Sequence, residues 1–297
     1  MKVLCFGSLN IDFTYQVDHF VRKGETLSSD GLSVYTGGKG LNQALALARA
    51  GAETYMAGAV GTDGVFLLDT LKQGGVDVSC VSVLADERTG NAIIQNDREG
   101  DNCILLFGGA NKRITREMAD EVIDRFSAGD FLLLQNEINE LGYIMERANA
   151  RGMNIVLNPS PMNGKILSLP LQYVDYFLLN EGEATAILGK ETADYDTLTT
   201  GLRERFPDAV IVMTVGGDGS FYADRNGVRR QTAYPVKAVD TTAAGDTYTG
   251  YLIAGLLGGM TPEEAMDRAS RASSICVTRK GAAPSIPAPE EVDSWSF

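Results

Sequence analysis

The chain has 297 residues, 44% hydrophobic and 22% charged, an ordinary balance for a globular protein and long enough for one large α/β domain or two smaller ones. Its net charge of −13 argues against a nucleic-acid footprint, which needs a basic stripe, but not against an anionic substrate, since N–H groups and a metal ion can hold phosphates on an acidic protein. No apolar run nears the length of a membrane span, and a single histidine, His19, rules out chemistry needing two imidazoles.

The N-terminus runs directly into an apolar stretch, 3–9, which reads as a first strand and not as a signal peptide. Gly7-Ser-Leu-Asn-Ile-Asp12 ends it with polar residues. Asn10 and Asp12 alternate and share a face at the strand's carboxyl end, a good place for hydroxyl-binding groups, although Asn and Asp also favour plain turns. Residues 13–36 then alternate like an exposed antiparallel strand pair. Thr36-Gly-Gly-Lys-Gly-Leu-Asn-Gln-Ala44 is a glycine-rich turn entering a helix at 42–50, stopped by Gly51. Gly37, Gly38 and Gly40 let the backbone approach a small ligand, and Lys39, Asn42 and Gln43 suit sugar hydroxyls. The turn is not a Walker A loop; no GKS or GKT occurs, nor HRD or DFG.

A strand at 54–60 and a helix at 64–73 follow. Residues 89–106 alternate again, with Asp97-Arg-Glu-Gly-Asp-Asn102 as a hairpin turn. Beyond this, strands at 131–135, 154–158, 176–179 and 209–215 interleave with helices at 115–127, 138–151 and 181–188. That alternation predicts a parallel sheet with helices on both sides. The two exposed segments, 13–36 and 89–106, would form a small second sheet, either a lid over the strand ends or an edge decoration.

Asn180-Glu-Gly-Glu183 starts a helix, where Glu183 serves as a simple cap or stands near a hydrated Mg²⁺. Thr214-Val-Gly-Gly-Asp-Gly219 is a glycine turn that cradles a nucleotide or closes a tight hairpin. Residues 234–239 read as extended. Asp240-Thr-Thr-Ala-Ala-Gly-Asp246 follows, then a buried helix at 245–258. Two carboxylates bracket small residues at that helix start, so Asp246 would sit beside an anion-binding N-terminus, where a base for phosphoryl transfer belongs. An ordinary first-turn aspartate gives the same pattern. A last long helix, 262–277, carries the capping box Thr261-Pro-Glu-Glu264 and leaves through Val277-Thr-Arg-Lys-Gly-Ala-Ala-Pro-Ser285. Four scattered cysteines form no CxxC; three lie in apolar-rich segments and read as reduced core residues, which suits the cytosol.

Together and in this order, the motifs resemble the ribokinase family of sugar kinases, also called PfkB-type, from about residue 3 to 287. Gly37-Gly-Lys-Gly-Leu-Asn-Gln43, Asp240–Asp246 and Val277–Ser285 are the most specific matches. The resemblance implies a three-layer α/β sandwich with a mostly parallel sheet and a β-sheet lid, one domain over 1–297 with lid insertions near 13–36 and 89–106. It implies ATP-dependent phosphorylation of ribose at the 5-hydroxyl, with another sugar or a nucleoside as the alternative acceptor. Asp246 is then the base, and N–H groups of Ala243, Ala244, Gly245 and Asp246 stabilise the transferring phosphoryl group. Asn10, Asp12, Gly38, Lys39, Gly40, Leu41, Asn42 and Glu137 match sugar-binding positions. Asn180, Glu183, Thr214, Val215, Gly216, Gly217, Asp218, Gly219, Gly245 and Ser270 match nucleotide and metal-water positions. Mg²⁺ would bridge the ATP phosphates. K⁺ would sit among Asp240, Thr242, Cys276, Arg279, Gly281 and Ser285, several through carbonyls. A cytoplasmic homodimer joined through the lid is implied as well. Tyr251, Leu41 and Ser270 depart from the family's usual residues without removing a catalytic group. An intact Asp246 turn argues against a non-catalytic sugar sensor, and the absence of GxGxxG after the first strand argues against an NAD-dependent dehydrogenase.

Overall fold

Five short apolar runs lie side by side, and their alternate residues enter opposite cores: β1 (Val3–Phe6), β8 (Phe131–Gln135), β9 (Asn154–Asn158), β10 (Tyr176–Asn180) and β11 (Val210–Thr214). In β1, Leu4 and Phe6 pack to one side and Val3 and Cys5 to the other; in β8, Leu132 and Leu134 oppose Leu133. This period of two on doubly buried strands explains why the runs are apolar throughout. The computed structural model describes residues 1–99, 101–191 and 194–295.

Around these strands the central sheet has nine members among the described residues, in the order β13-β12-β11-β10-β9-β8-β1-β4-β5. The others are β4 (Thr54–Gly61), β5 (Asp77–Leu84), β12 (Ser220–Asp224) and β13 (Gly227–Gln231). All neighbours pair parallel except β11–β12 and β12–β13. One face is covered by α1 (Lys39–Arg49), α2 (Val65–Gln73), α7 (Ala244–Leu257) and α8 (Pro262–Cys276). The other is covered by α3 (Arg116–Ile123), α4 (Leu141–Ala150), α5 (Glu181–Leu188) and α6 (Tyr195–Arg205). A short α9 (Pro289–Ser294) follows. This is the expected three-layer sandwich.

The second sheet has the order β3-β2-β6-β7, built from β2 (Asn10–Gln16), β3 (Gly31–Gly37), β6 (Gly90–Asn96) and β7 (Asn102–Phe107). It is mixed and not purely antiparallel, because β2 pairs parallel with β6. The predicted 97–102 turn joins β6 to β7, which pair from Asn91 with Phe107 to Asn96 with Asn102; Gly100 at its tip lies outside the described residues. Since β2 begins at Asn10 and β3 runs into α1, this sheet rises from the carboxyl end of the central one.

Several boundaries differ from the sequence reading. The first strand stops at Phe6, so Asn10 and Asp12 open β2 instead of ending β1. Helix α1 starts at Lys39, because Gly38 takes φ 93 and turns the chain into it, a conformation that favours glycine. Residues 234–239 form no strand; the Val239 N–H donates to the Val277 carbonyl at 2.7 Å. Strands β5 and β13 and helix α6 went unpredicted. The first has an alternating half-polar pattern, and the last is rich in threonine, a weak helix former. The capping boxes at Asn180/Glu183 and Thr261/Glu264 both form.

Candidate active site

The strand order turns back at β1 and β8, and open α/β sheets bind ligands outside the carboxyl ends of strands at such a point. Helices α1 and α7 both begin beside it. They pack closely because residue 250 is glycine: a Cβ there would stand 2.4 Å from that of Ala46. This approach brings α1 side chains to the first turn of α7. Asn42 Nδ2 donates to Asp246 Oδ2 at 3.0 Å, and Gln43 Nε2 donates to Oδ1 at 2.8 Å. Asp246 is thereby buried, at 7% exposure, with a charge-assisted bond on each oxygen. Gln43, expected to face sugar hydroxyls, holds this carboxylate instead. The Asn42 Oδ1 is buried without a protein partner.

The turn before Asp246 is shaped for a ligand. Ala243 caps α7 in the left-handed region, φ 62, a conformation that costs a non-glycine residue on the order of 1 kcal/mol. Among the described residues the Gly245 and Asp246 N–H groups have no acceptor, as at any helix start, and a Cβ at Gly245 would meet nothing within 4 Å. The Ala244 N–H is different from the expectation: it donates to the Thr241 carbonyl at 3.2 Å.

Opposite Asp246 lies a second acidic pair. Ser8 Oγ and the Lys39 N–H both donate to Glu137 Oε2, the latter at 3.1 Å. Burial, and then the charge of Glu137, push the Asp12 carboxyl up to about 7. Asp12 lies over Gly37, where a Cβ would stand 2.0 Å from its Oδ2. Burial works against the charge of Lys39, but Asp246, Glu137 and Glu183 outweigh it and hold its ammonium above the usual lysine range. One lysine thus feels the charge of three acids.

Other expected sugar-site residues have structural duties. Asn10 Oδ1 accepts from Asn111 Nδ2 at 2.7 Å, and Asn111 also accepts from the Leu9 N–H at 3.0 Å. Asn111, 1% exposed, was not singled out in sequence. Leu41 points into the core, its N–H bonded to the Ser8 carbonyl. Gly40 presses on the β1 exit: a Cβ would lie 2.5 Å from the Ser8 nitrogen. Gly38 supplies the turn into α1.

On the nucleotide side, Asn180 and Glu183 form a reciprocal cap. Glu183 accepts from the Asn180 N–H at 3.0 Å, and burial raises its carboxyl above the usual range. Thr214 and Val215 lead to exposed Gly216 and Gly217, where an added Cβ meets nothing within 4 Å. Gly219, φ 104, makes the turn into β12, and Asp218 accepts from the Tyr195 hydroxyl at 2.9 Å. Ser270 is buried on α8.

Behind the turn, Asp240 has a duty that spacing did not reveal. Its Oδ1 accepts from Thr242 N and Oγ1 at 2.9 and 2.6 Å, and its Oδ2 accepts from the Gly281 N–H at 2.9 Å. Burial opposes its charge, but the Thr242 and Gly281 donors keep the carboxyl below the usual range. Cys276 Sγ lies 3.0 Å from Ser285 Oγ and 3.7 Å from the Thr242 carbonyl. The Arg279 N–H donates to the Cys276 carbonyl at 3.1 Å, so all six residues expected around a monovalent cation lie in one connected cluster. The Arg279 side chain turns away to Glu291.

Clefts of about 430 and 330 Å³ around Gly258 and Arg268, at the opposite helix ends, contain none of these residues. Clustered buried charge, and not cavity size, marks the site.

The model of the pfkB family of carbohydrate kinases matches residues 1–289. The chain belongs to this family, and its sandwich and second sheet are those of a sugar-kinase fold. The ribokinase of Staphylococcus aureus is 36% identical, with 98% of each chain covered. The ribokinase of Cryptococcus neoformans, solved in complex with ADP, is 32% identical with a TM-score of 0.86 and 98% of each chain covered. The ribokinase of Arabidopsis thaliana, complexed with ribose and ATP, is 26% identical with a TM-score of 0.85 and 99% of each chain covered.

Proposed function

We propose that this protein is a ribokinase, which transfers the γ-phosphoryl group of ATP to the 5-hydroxyl of ribose. The observation that carries this is a carboxylate, Asp246, gripped by Asn42 and Gln43 beside the unpartnered N–H groups of Gly245 and Asp246. In this reading Asp246 takes the hydroxyl proton, and the helix start receives the charge of the phosphoryl group. Lys39 and Ala243 border the same path. Asp12, Glu137 and the unpaired Asn42 Oδ1 accept from sugar hydroxyls, which supports a small polyol over a nucleoside. The nucleotide lies along Asn180, Thr214–Gly219 and Ser270. Mg²⁺ would be held by the ATP phosphates and, through water, near Glu183, and would neutralise phosphate charge.

K⁺ would sit among Asp240, Thr242, Cys276, Arg279, Gly281 and Ser285, with Cys276 and Arg279 offering only main-chain oxygens, where it would brace the Asp246 turn without touching the sugar. One experiment addresses sugar and ion together: a panel of ribose, fructose, adenosine and fructose 6-phosphate with ATP and Mg²⁺, in K⁺ and in tetramethylammonium at equal ionic strength. Ribose is expected to give the highest kcat/KM, and K⁺ to raise kcat. A clear win by adenosine or the sugar phosphate overturns the substrate, and equal kcat in both salts overturns the ion.

The second sheet is proposed as a lid and a dimer contact in a cytosolic enzyme. Register aligns Val34, Phe13, Ile93 and Leu105 in one row, of which Val34, Ile93 and Leu105 are exposed, the last at 68%. Such a row on a small sheet needs covering. Light scattering at micromolar concentration should give twice the chain mass; a stable monomer overturns the lid contact.

A further inference from the structure

We propose that Gln135 is a positioning residue for phosphoryl transfer, because its side chain fixes which end of the Gln43 amide faces Asp246. The inference rests on the reading of Asp246 as the base. Gln135 ends β8, Gln43 lies on α1, and both are fully buried. An ionised carboxylate only accepts, so Gln43 must present its NH₂ to Asp246, as it does at 2.8 Å. Its carbonyl Oε1 then faces Gln135, whose Nε2 donates to it at 2.6 Å. Turning Gln135 over would set two carbonyl oxygens against each other.

The orientation is kept although it leaves the Gln135 Oε1 buried without a partner. Residue 7 makes room for that oxygen by being glycine: a Cβ there would lie 2.1 Å from it. The same Gln135 Nε2 lies 3.6 Å from the Cys5 Sγ on β1. Asn158 on β9 accepts a weaker bond from Gln43 Nε2 at 3.4 Å and is itself tied to the Leu178 carbonyl on β10 at 2.8 Å. Two strands thus hold the Gln43 amide directly and two more hold it through Gln135 and Asn158, and that amide, with Asn42, fixes the carboxylate on α7. A rigid sheet positions the reacting group more closely than a loop would.

Gln135→Leu and Gln135→Glu, each made in the parent and in Asp246→Asn, test this. Removing the donor leaves Gln43 free to turn, so Q135L is expected to lower kcat about 3- to 10-fold, with KM for ribose and ADP affinity within about threefold. Its Tm should change little, since the unpartnered Gln135 carbonyl is removed while the buried Gln43 carbonyl loses its donor. In Q135E the new carboxyl accepts once ionised and pulls the NH₂ of Gln43 away from Asp246. Its kcat deficit should grow between about pH 6 and 9 to the order of 10²-fold, a trend absent from Q135L. Cys5, the other titratable group at this amide, stays protonated there because burial lifts its thiol to about 12. In Asp246→Asn, where residue 246 both donates and accepts, Q135E should cost less than about threefold more. A Q135E profile parallel to the parent's, or equal losses in both backgrounds that follow a fall in Tm, overturns the inference. Near-parent turnover by Asp246→Asn would instead overturn the base, and this inference with it.

Discussion

Asp246→Asn is expected to lower kcat for ribose by a factor on the order of 10² to 10⁴, the usual cost of losing a general base. The substitution keeps shape and volume. One oxygen remains to accept from Gln43 or Asn42, so the first turn of α7 should persist and Tm should fall by only a few degrees. The glycine turns at 214–219 are untouched, so ATP and ADP should bind with near-parent affinity by calorimetry. Loss of turnover with intact binding separates a proton acceptor from a structural cap. Turnover near the parent rate would show that the carboxylate at the helix start is only the common first-turn aspartate.

The second large effect concerns Asp12 and pH. Its carboxyl titrates at about 7 in the folded protein, through burial and the neighbouring Glu137, against 3.8 when unperturbed. Between those values the native state holds a proton that the unfolded chain has released. Stability therefore falls as pH rises through this window, the reverse of a salt-bridged aspartate. Above about pH 7 the buried charge is fully present and its cost levels off. Asp12→Asn cannot ionise. It should match the parent near pH 4 and exceed it above pH 7 by on the order of 2–4 kcal/mol. Urea denaturation of the ligand-free protein between about pH 4.5 and 8 reads the difference. A parent-minus-variant gap that stays flat would contradict the placement of Asp12 in an acidic, buried crevice. The same variant should bind ribose more weakly, since a neutral amide pairs less strongly with the sugar hydroxyls that a carboxylate accepts.

What the sequence determined by itself was what neighbouring residues decide. Apolar runs such as Phe131–Gln135 declare doubly buried strands, because every residue of such a strand meets a helix layer. The boxes at Asn180/Glu183 and Thr261/Glu264 declare helix starts, because cap and third position lie within one turn. Asp246 was legible for the same reason: small residues, a glycine and an acid at a helix start form a local pattern. The tertiary structure alone decided what holds that acid. Gln43 stands 203 positions from Asp246 and 92 from Gln135, and no spacing rule joins them. Asn111 reaches Asn10 across 101 positions, and Asp240 reaches Gly281 across 41. The only local sign at Gln135 was a polar residue closing an apolar strand, a pattern that an ordinary strand end shares. Burial makes these contacts specific, since an amide or carboxylate removed from water must find a partner with the right donor or acceptor. Which partner it finds depends on where α1, α7 and the sheet edge meet, and that is set by packing.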